Sequence, residues 1–112
     1  LGIARFPKPN IATCSGGGYI ASGEPGWDKV PVPYLPEGSK LVAFEGCGEV
    51  QTPVVLKPGL HLSQGEPILF RHAKAGELAE RFEEYLLVKK SDDGGEITER
   101  VKTYRGLGQC FF

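Results

Sequence analysis

Apolar and polar positions alternate with a period of two over several short stretches, which predicts a chain built mainly of strands. Residues 11–14 read as a short strand entering a sheet. Residues 40–44 and 49–56 form two further apolar runs parted by Gly46-Cys47-Gly48, with Pro53 predicting an edge or a bulge in the second. Gly65-Glu66-Pro67 forms the turn that opens the next strand, and Ile68, Phe70 and His72 follow its apolar face. Tyr85-Leu86-Leu87-Val88 is a strand core, and Ser91-Asp92-Asp93-Gly94-Gly95 is a hairpin turn. The return strand covers residues 96–104, where Ile97, Glu99, Val101 and Thr103 face one way, and Gln109-Cys110-Phe111-Phe112 closes the sheet. Only residues 76–82 carry helical spacing: Leu78 and Phe82 share a face, and Glu77 and Arg81 can pair across a turn. Six or seven short strands with one short helix predict a mainly β fold, a compact antiparallel barrel-like domain or sandwich.

The pattern breaks down at the start of the chain. Pro7 and Pro9 exclude a continuous helix or a central strand there. Residues 19–39 are interrupted by Gly23, Pro25, Gly26, Pro31, Pro33 and Pro36, yet they carry Tyr19, Trp27 and Tyr34. Such aromatics predict that parts of the segment lie against a body, lining a cleft or plugging the edge of a core. The expected organisation is an irregular arm over residues 1–39 and a β-barrel-like core over residues 40–112, one domain overall.

Charge removes some classes of function. Thirteen basic residues stand against fourteen acidic ones, and the two halves of the chain are each nearly balanced. No basic face is implied, so a binder of nucleic-acid phosphates is disfavoured. No run approaches the roughly 20 apolar residues of a membrane span. Cys14, Cys47 and Cys110 are too few and too scattered for a disulfide scaffold, so reduced thiols and a cytoplasmic location are expected. The sequence holds no methionine and begins Leu1-Gly2-Ile3, which suggests a C-terminal or internal domain of a larger polypeptide.

Reactive groups concentrate in Phe70-Arg71-His72-Ala73-Lys74-Ala75-Gly76-Glu77-Leu78. Histidine is the side chain that titrates near neutrality; Glu77 is placed to orient His72, and Lys74 to attract a substrate carboxylate. A satisfied strand-end histidine beside a solvated lysine is the bland reading of the same residues. A zinc site would need His72 with Glu77 or a cysteine, and the spacing matches no closed Cys/His motif. A nucleophile would pair His72 with Cys47 or Cys110, and nothing in the sequence brings either close. Ser15-Gly16-Gly17-Gly18 can expose successive N–H groups to an anion or simply allow a sharp turn. It lacks the spacing of a P-loop or a dinucleotide fingerprint.

The run Gly65-Glu66-Pro67-Ile68-Leu69-Phe70-Arg71-His72, followed by Tyr85-Leu86-Leu87-Val88 and Tyr104-Arg105-Gly106, resembles the C-terminal domain of the D-serine dehydratase and D-threonine aldolase family. More narrowly it is similar to bacterial amino acid deaminase/aldolase proteins. The resemblance spans residues 11–112, and its most specific part is Arg71-His72-Ala73-Lys74-Ala75-Gly76-Glu77. It implies the β-domain of a pyridoxal-phosphate lyase of alanine-racemase type (fold type III), acting in D-amino acid metabolism. A preceding TIM-like barrel of the same polypeptide would carry the cofactor lysine and most of the phosphate site. His72 matches a histidine that binds a divalent metal in some members. Lys74 stands where their second ligand falls and would repel a cation, so no metal site is assigned and His72 is the one candidate ligand. Cys47 replaces a second family histidine and would face the same cleft. Residues Ser15, Gly16, Gly17 and Gly18 lie where the family's chain leaves the barrel, which makes them candidates for cofactor binding.

The expected function is therefore the C-terminal domain of a deaminase/aldolase acting on a small hydroxy amino acid such as D-serine or D-threonine, inactive in isolation. His72, Lys74 and Glu77 are the candidate catalytic residues, and a homodimer is allowed. The alternative is a non-catalytic, β-rich docking module whose aromatic arm binds another protein.

Overall fold

The first apolar run forms an inner strand of a four-stranded antiparallel sheet. The computed structural model describes residues 1–109 apart from Phe44, Asp92 and Asp93. Strand outweighs helix by 41% to 11%, so the fold is mainly β as expected. The chain divides into two units, Leu1–Ala73 and Lys74–Phe112.

In the first unit β1 (Ile3–Lys8), β2 (Ile11–Ser15), β5 (Gln51–Val55) and β4 (Lys40–Leu41) lie side by side in that order. Strands β1 and β2 form a hairpin, with β1 at the edge, where Pro7 costs no ladder partner. Strand β2 pairs with β5 in unbroken register from Ile11↔Val55 to Ser15↔Gln51. Residues 12–14 and 52–54 are consecutively buried, so both faces of this pair are covered. Strand β3 (Val32–Leu35) lies outside this sheet, and β4 lies on the other side of β5.

Pro53 thus sits in an inner strand, where an edge or a bulge was expected. Its missing N–H explains how this is tolerated. Val42 N donates to Pro53 O (3.3 Å), but the proline returns no donor, and β4 ends at Leu41. The local break falls on the β4 side, while the β2 side keeps its pairing.

The core gathers Ile3, Ala12, Cys14, Val54, Leu56 and Ile68, with Leu60, Leu62 and Phe70 packed against it. Residues 1–15 are therefore not an arm, since they supply three of these core side chains. The unit boundary also falls after Ala73 rather than after Ser39. Residues 19–39 are less irregular than their prolines and glycines suggest. Trp27–Lys29 forms a 3₁₀ turn, and β3 pairs antiparallel with β6 (Leu69–Arg71). Ile68, just before β6, exchanges main-chain hydrogen bonds with Leu1 at 2.9 Å each way.

The second unit begins with α1 (Ala75–Ala79), shorter than the predicted 76–82, and the N–H groups of Glu80, Arg81 and Phe82 continue it as turns. Strands β7 (Glu84–Ser91) and β8 (Gly94–Lys102) form the predicted hairpin, from Glu84↔Lys102 to Ser91↔Gly94. The turn residues Asp92 and Asp93 lie outside the described residues. The register shifts between Leu87 and Val88, leaving Thr98 opposite no partner. The predicted single face for Ile97 through Thr103 does not carry through that bulge.

Strand β8 ends at Lys102, short of the expected residue 104, and the short helix α2 (Tyr104–Leu107), for which no helical spacing was found, follows it. Thr103 caps it by accepting from Gly106 N (3.2 Å), and Gly108 ends it at φ 65°. A Cβ on Gly106 would lie 2.0 Å from Glu83 O, so the position admits only glycine. The predicted closing strand falls largely on residues 110–112, outside the described residues. Strands group into sheets of four, two and two, and none closes into a barrel among the described residues.

Candidate functional site

His72 follows directly on β6, and burial alternates along the approach to it. Ile68 is buried, Leu69 exposed, Phe70 half-buried, Arg71 exposed and His72 half-buried. Arg71 turns outward over the Tyr34 ring, 5.0 Å from its centroid, a cation–π contact that ties β6 to β3. His72 points the other way, and its Nδ1 is buried without a hydrogen-bond partner. Such an atom pays desolvation with no return, which is uncommon enough to require an explanation.

Lys74 and Glu77 belong to the second unit, whereas His72 lies in the first, which ends at Ala73. Lys74 is exposed at the N-cap of α1, Glu77 lies in its first turn, and each has a polar partner. His61, the other histidine, is exposed on the connector after β5.

A different pair of predicted segments is brought together. Residues 15–18 leave β2 and run beside residues 48–52. Gly16 N donates to Val50 O (2.7 Å), and Thr52 Oγ1 donates to Gly16 O (2.6 Å). Gly16 and Gly17 adopt φ 67° and 112°. A Cβ on Gly17 would meet Thr52 Oγ1 at 2.4 Å, and one on Gly18 would meet Glu49 N at 2.8 Å. The glycines allow one backbone to approach another. Ser15 N and Gly16 N both spend their protons inside the unit, on Gly2 O and Val50 O, which leaves those two groups no donor for a phosphate.

Cys47 lies on the same segment, nearly buried, with Sγ donating to Pro31 O at 3.6 Å. Burial raises its pKa above the ordinary thiol value, and the Thr52 hydroxyl works against that shift. Cys14 is pushed the same way by burial. Neither is an activated thiolate at neutral pH. Cys110 lies outside the described residues.

Cys47 lines a cleft, and His72 is not among the described residues that line it. A space of about 410 Å³ opens between Ile20, Pro25, Trp27, Glu45 and Cys47. A second, of about 360 Å³, adjoins it along Trp27, Val30 and Ala43 and runs on to Val32, Ser39 and Leu41. Trp27 is 60% exposed, so it stands as a wall between the clefts rather than as a plug in the core. The aromatics of residues 19–39 signalled a cleft. Nothing in the pattern singled out Ser39, which is 8% exposed with its Oγ buried and unpaired.

Among the described residues no three of His, Cys, Asp and Glu are grouped to hold a metal ion. No described helix is long and apolar enough to cross a membrane. No protein-family model, curated protein or solved structure matches the chain.

Proposed function

We propose that this chain is the C-terminal β-domain of a pyridoxal-phosphate-dependent deaminase/aldolase of the alanine-racemase fold type. Its substrate would be a small hydroxy amino acid such as D-serine or D-threonine. The observation that carries the reading is the Nδ1 of His72, buried and unpaired at the end of β6. A polar atom held in that state fits a group whose partner arrives with substrate or with a preceding domain. The resemblance of residues 65–77 to the D-serine dehydratase-like proteins supplies the identity of that domain, a TIM-like barrel.

Pyridoxal phosphate, when bound, supplies the electron sink that weakens bonds to the α-carbon of an amino acid. In this reading the phosphate is held by the barrel, since Ser15 and Gly16 have already spent their main-chain donors. Gly17 and Gly18 are packed against Thr52 and the Glu49 backbone, so in this reading close approach to the cofactor is also left to the barrel. His72 acts as the acid–base group, giving or taking a proton at the substrate's β-hydroxyl. Lys74, exposed at the start of α1, attracts a substrate carboxylate and opposes a bound divalent cation.

The test is made on the complete polypeptide encoded with this chain. Cofactor-dependent release of ammonia from D-serine, or of an aldehyde from D-threonine, is expected, with the 112-residue chain alone inactive. An upstream region with no α/β barrel, or no turnover by the cofactor-loaded protein, refutes the proposal. The exposure of Trp27 would then favour the second reading, a docking module that meets a partner through residues 19–39.

A further inference from the structure

We infer that the cleft beside Trp27 and Leu41 is a binding site for a small carboxylate with a flat apolar body. The inference stands independently of the proposed function. At about 360 Å³ the cleft has the size of small-molecule sites, which run from roughly 300 to 1,000 Å³. Its walls are Trp27, Val30, Val32 and Leu41, and its polar groups are Ser39 and Lys40.

Each part has a reason to bind. Trp27 lies 60% exposed and Val32 54% exposed, so an apolar body entering here removes large apolar surfaces from water. A flat ring can stack on the indole. Ser39 is more than nine-tenths buried, and its Oγ has no hydrogen-bond partner. That hydroxyl sits in a turn where Ser39 N is already bonded to Pro36 O (3.4 Å). It is therefore the side chain, not the backbone, that is left to be satisfied. Lys40, the next residue, is exposed and forms no ion pair among the described residues. An unpaired hydroxyl donor beside an unpaired ammonium selects an anion over a neutral or cationic group, and a carboxylate can accept from both. Glu45 lies along the adjoining cleft, so a ligand carrying a second anionic group at its far end would be disfavoured.

The chain has one tryptophan, and it forms this wall, so its fluorescence reports occupancy directly. Phenylacetate, phenylacetamide and phenethylamine are titrated into the 112-residue chain, with calorimetry alongside. Phenylacetate should give a saturable blue shift and bind more tightly than its neutral amide, with the amine weakest. Ser39→Ala should weaken phenylacetate about tenfold, the loss of one hydrogen bond to a charged acceptor. Lys40→Gln should remove most of the preference for acid over amide, about fivefold for an exposed ion pair. Should either variant misfold, the comparison of acid, amide and amine on the unaltered chain still decides. Equal affinity for acid and amide, or no saturable response to phenylacetate, overturns the assignment. So does acid binding that neither Ser39→Ala nor Lys40→Gln changes in a folded chain.

Discussion

Replacing Thr52 by valine tests what holds the glycine run against the segment that follows Cys47. Thr52 is fully buried, and its Oγ1 donates to Gly16 O at 2.6 Å while accepting weakly from Gly48 N at 3.4 Å. Valine keeps the shape and removes both bonds. The Gly16 carbonyl is then left without this donor, at a cost of about 1–3 kcal/mol. The bond from Gly48 is long enough to add little, which places the expected loss near 2 kcal/mol. Thr52→Ser makes the complementary change, keeping the hydroxyl and deleting one buried methyl for about 1 kcal/mol. Urea titrations followed by Trp27 fluorescence and circular dichroism measure both, at constant dependence on denaturant. Valine should therefore be the more damaging variant. A Thr52→Val protein within about 0.5 kcal/mol of the unaltered chain would show that the hydroxyl bridge does not hold these segments.

Other positions give independent checks. Gly18→Ala should cost about 1–3 kcal/mol, since its Cβ would press on the Glu49 and Gly48 backbone. Gly76→Ala meets nothing within 4 Å in α1 and should instead stabilise the second unit by about 0.5–1 kcal/mol. Thr103→Val removes the cap of α2 and the hydroxyl bond to Phe82 O, so about 1–2 kcal/mol should be lost, with faster amide exchange at Gly106 and Leu107. Burial holds the Cys14 and Cys47 thiols protonated. Their contribution to stability is complete below the ordinary thiol pKa of about 8.5 and is lost as pH rises through the raised values. Urea midpoints between about pH 7 and 10 should therefore fall less steeply in Cys14→Ala than in the unaltered chain; equal slopes would contradict the buried-thiol account.

The two inner strands of the first unit and the long hairpin of the second were the legible ones. Residues 11–15 and 51–55 announce themselves as apolar runs, and the hairpin of β7 and β8 by the Asp and Gly residues between them. Strand β3 was hidden because Pro31, Pro33 and Pro36 surround its apolar side chains, and its pairing with β6 is a tertiary fact. Helix α2 was hidden for a related reason. Thr103 reads as part of the return strand, and Gly106 and Gly108 as helix breakers, until the cap and the approach to Glu83 are known. Pro53 misled because a proline is tolerated in an inner strand when the neighbour stops beside it. At the candidate site, the alternation leading to His72 could be read from Ile68 and Phe70. That Lys74 and Glu77 fall in another unit could not, since nearness in sequence says nothing about where the chain divides. The unpaired hydroxyl of Ser39 depends on burial, which a serine after a glycine does not advertise.

The role of His72 is tested most directly by comparing His72→Ala with His61→Ala in the complete polypeptide, with matched folding checks and metal analysis. His61 serves as the reference because it is exposed and outside the strand. Loss of an acid–base group commonly lowers turnover by about 10²–10⁴. The account predicts a fall of that size for His72→Ala, near-unaltered turnover for His61→Ala, and no stoichiometric metal in either. Stoichiometric zinc lost only in His72→Ala would replace the acid–base role with a metal site. Equal and near-unaltered turnover in both variants would contradict the assignment of His72 altogether.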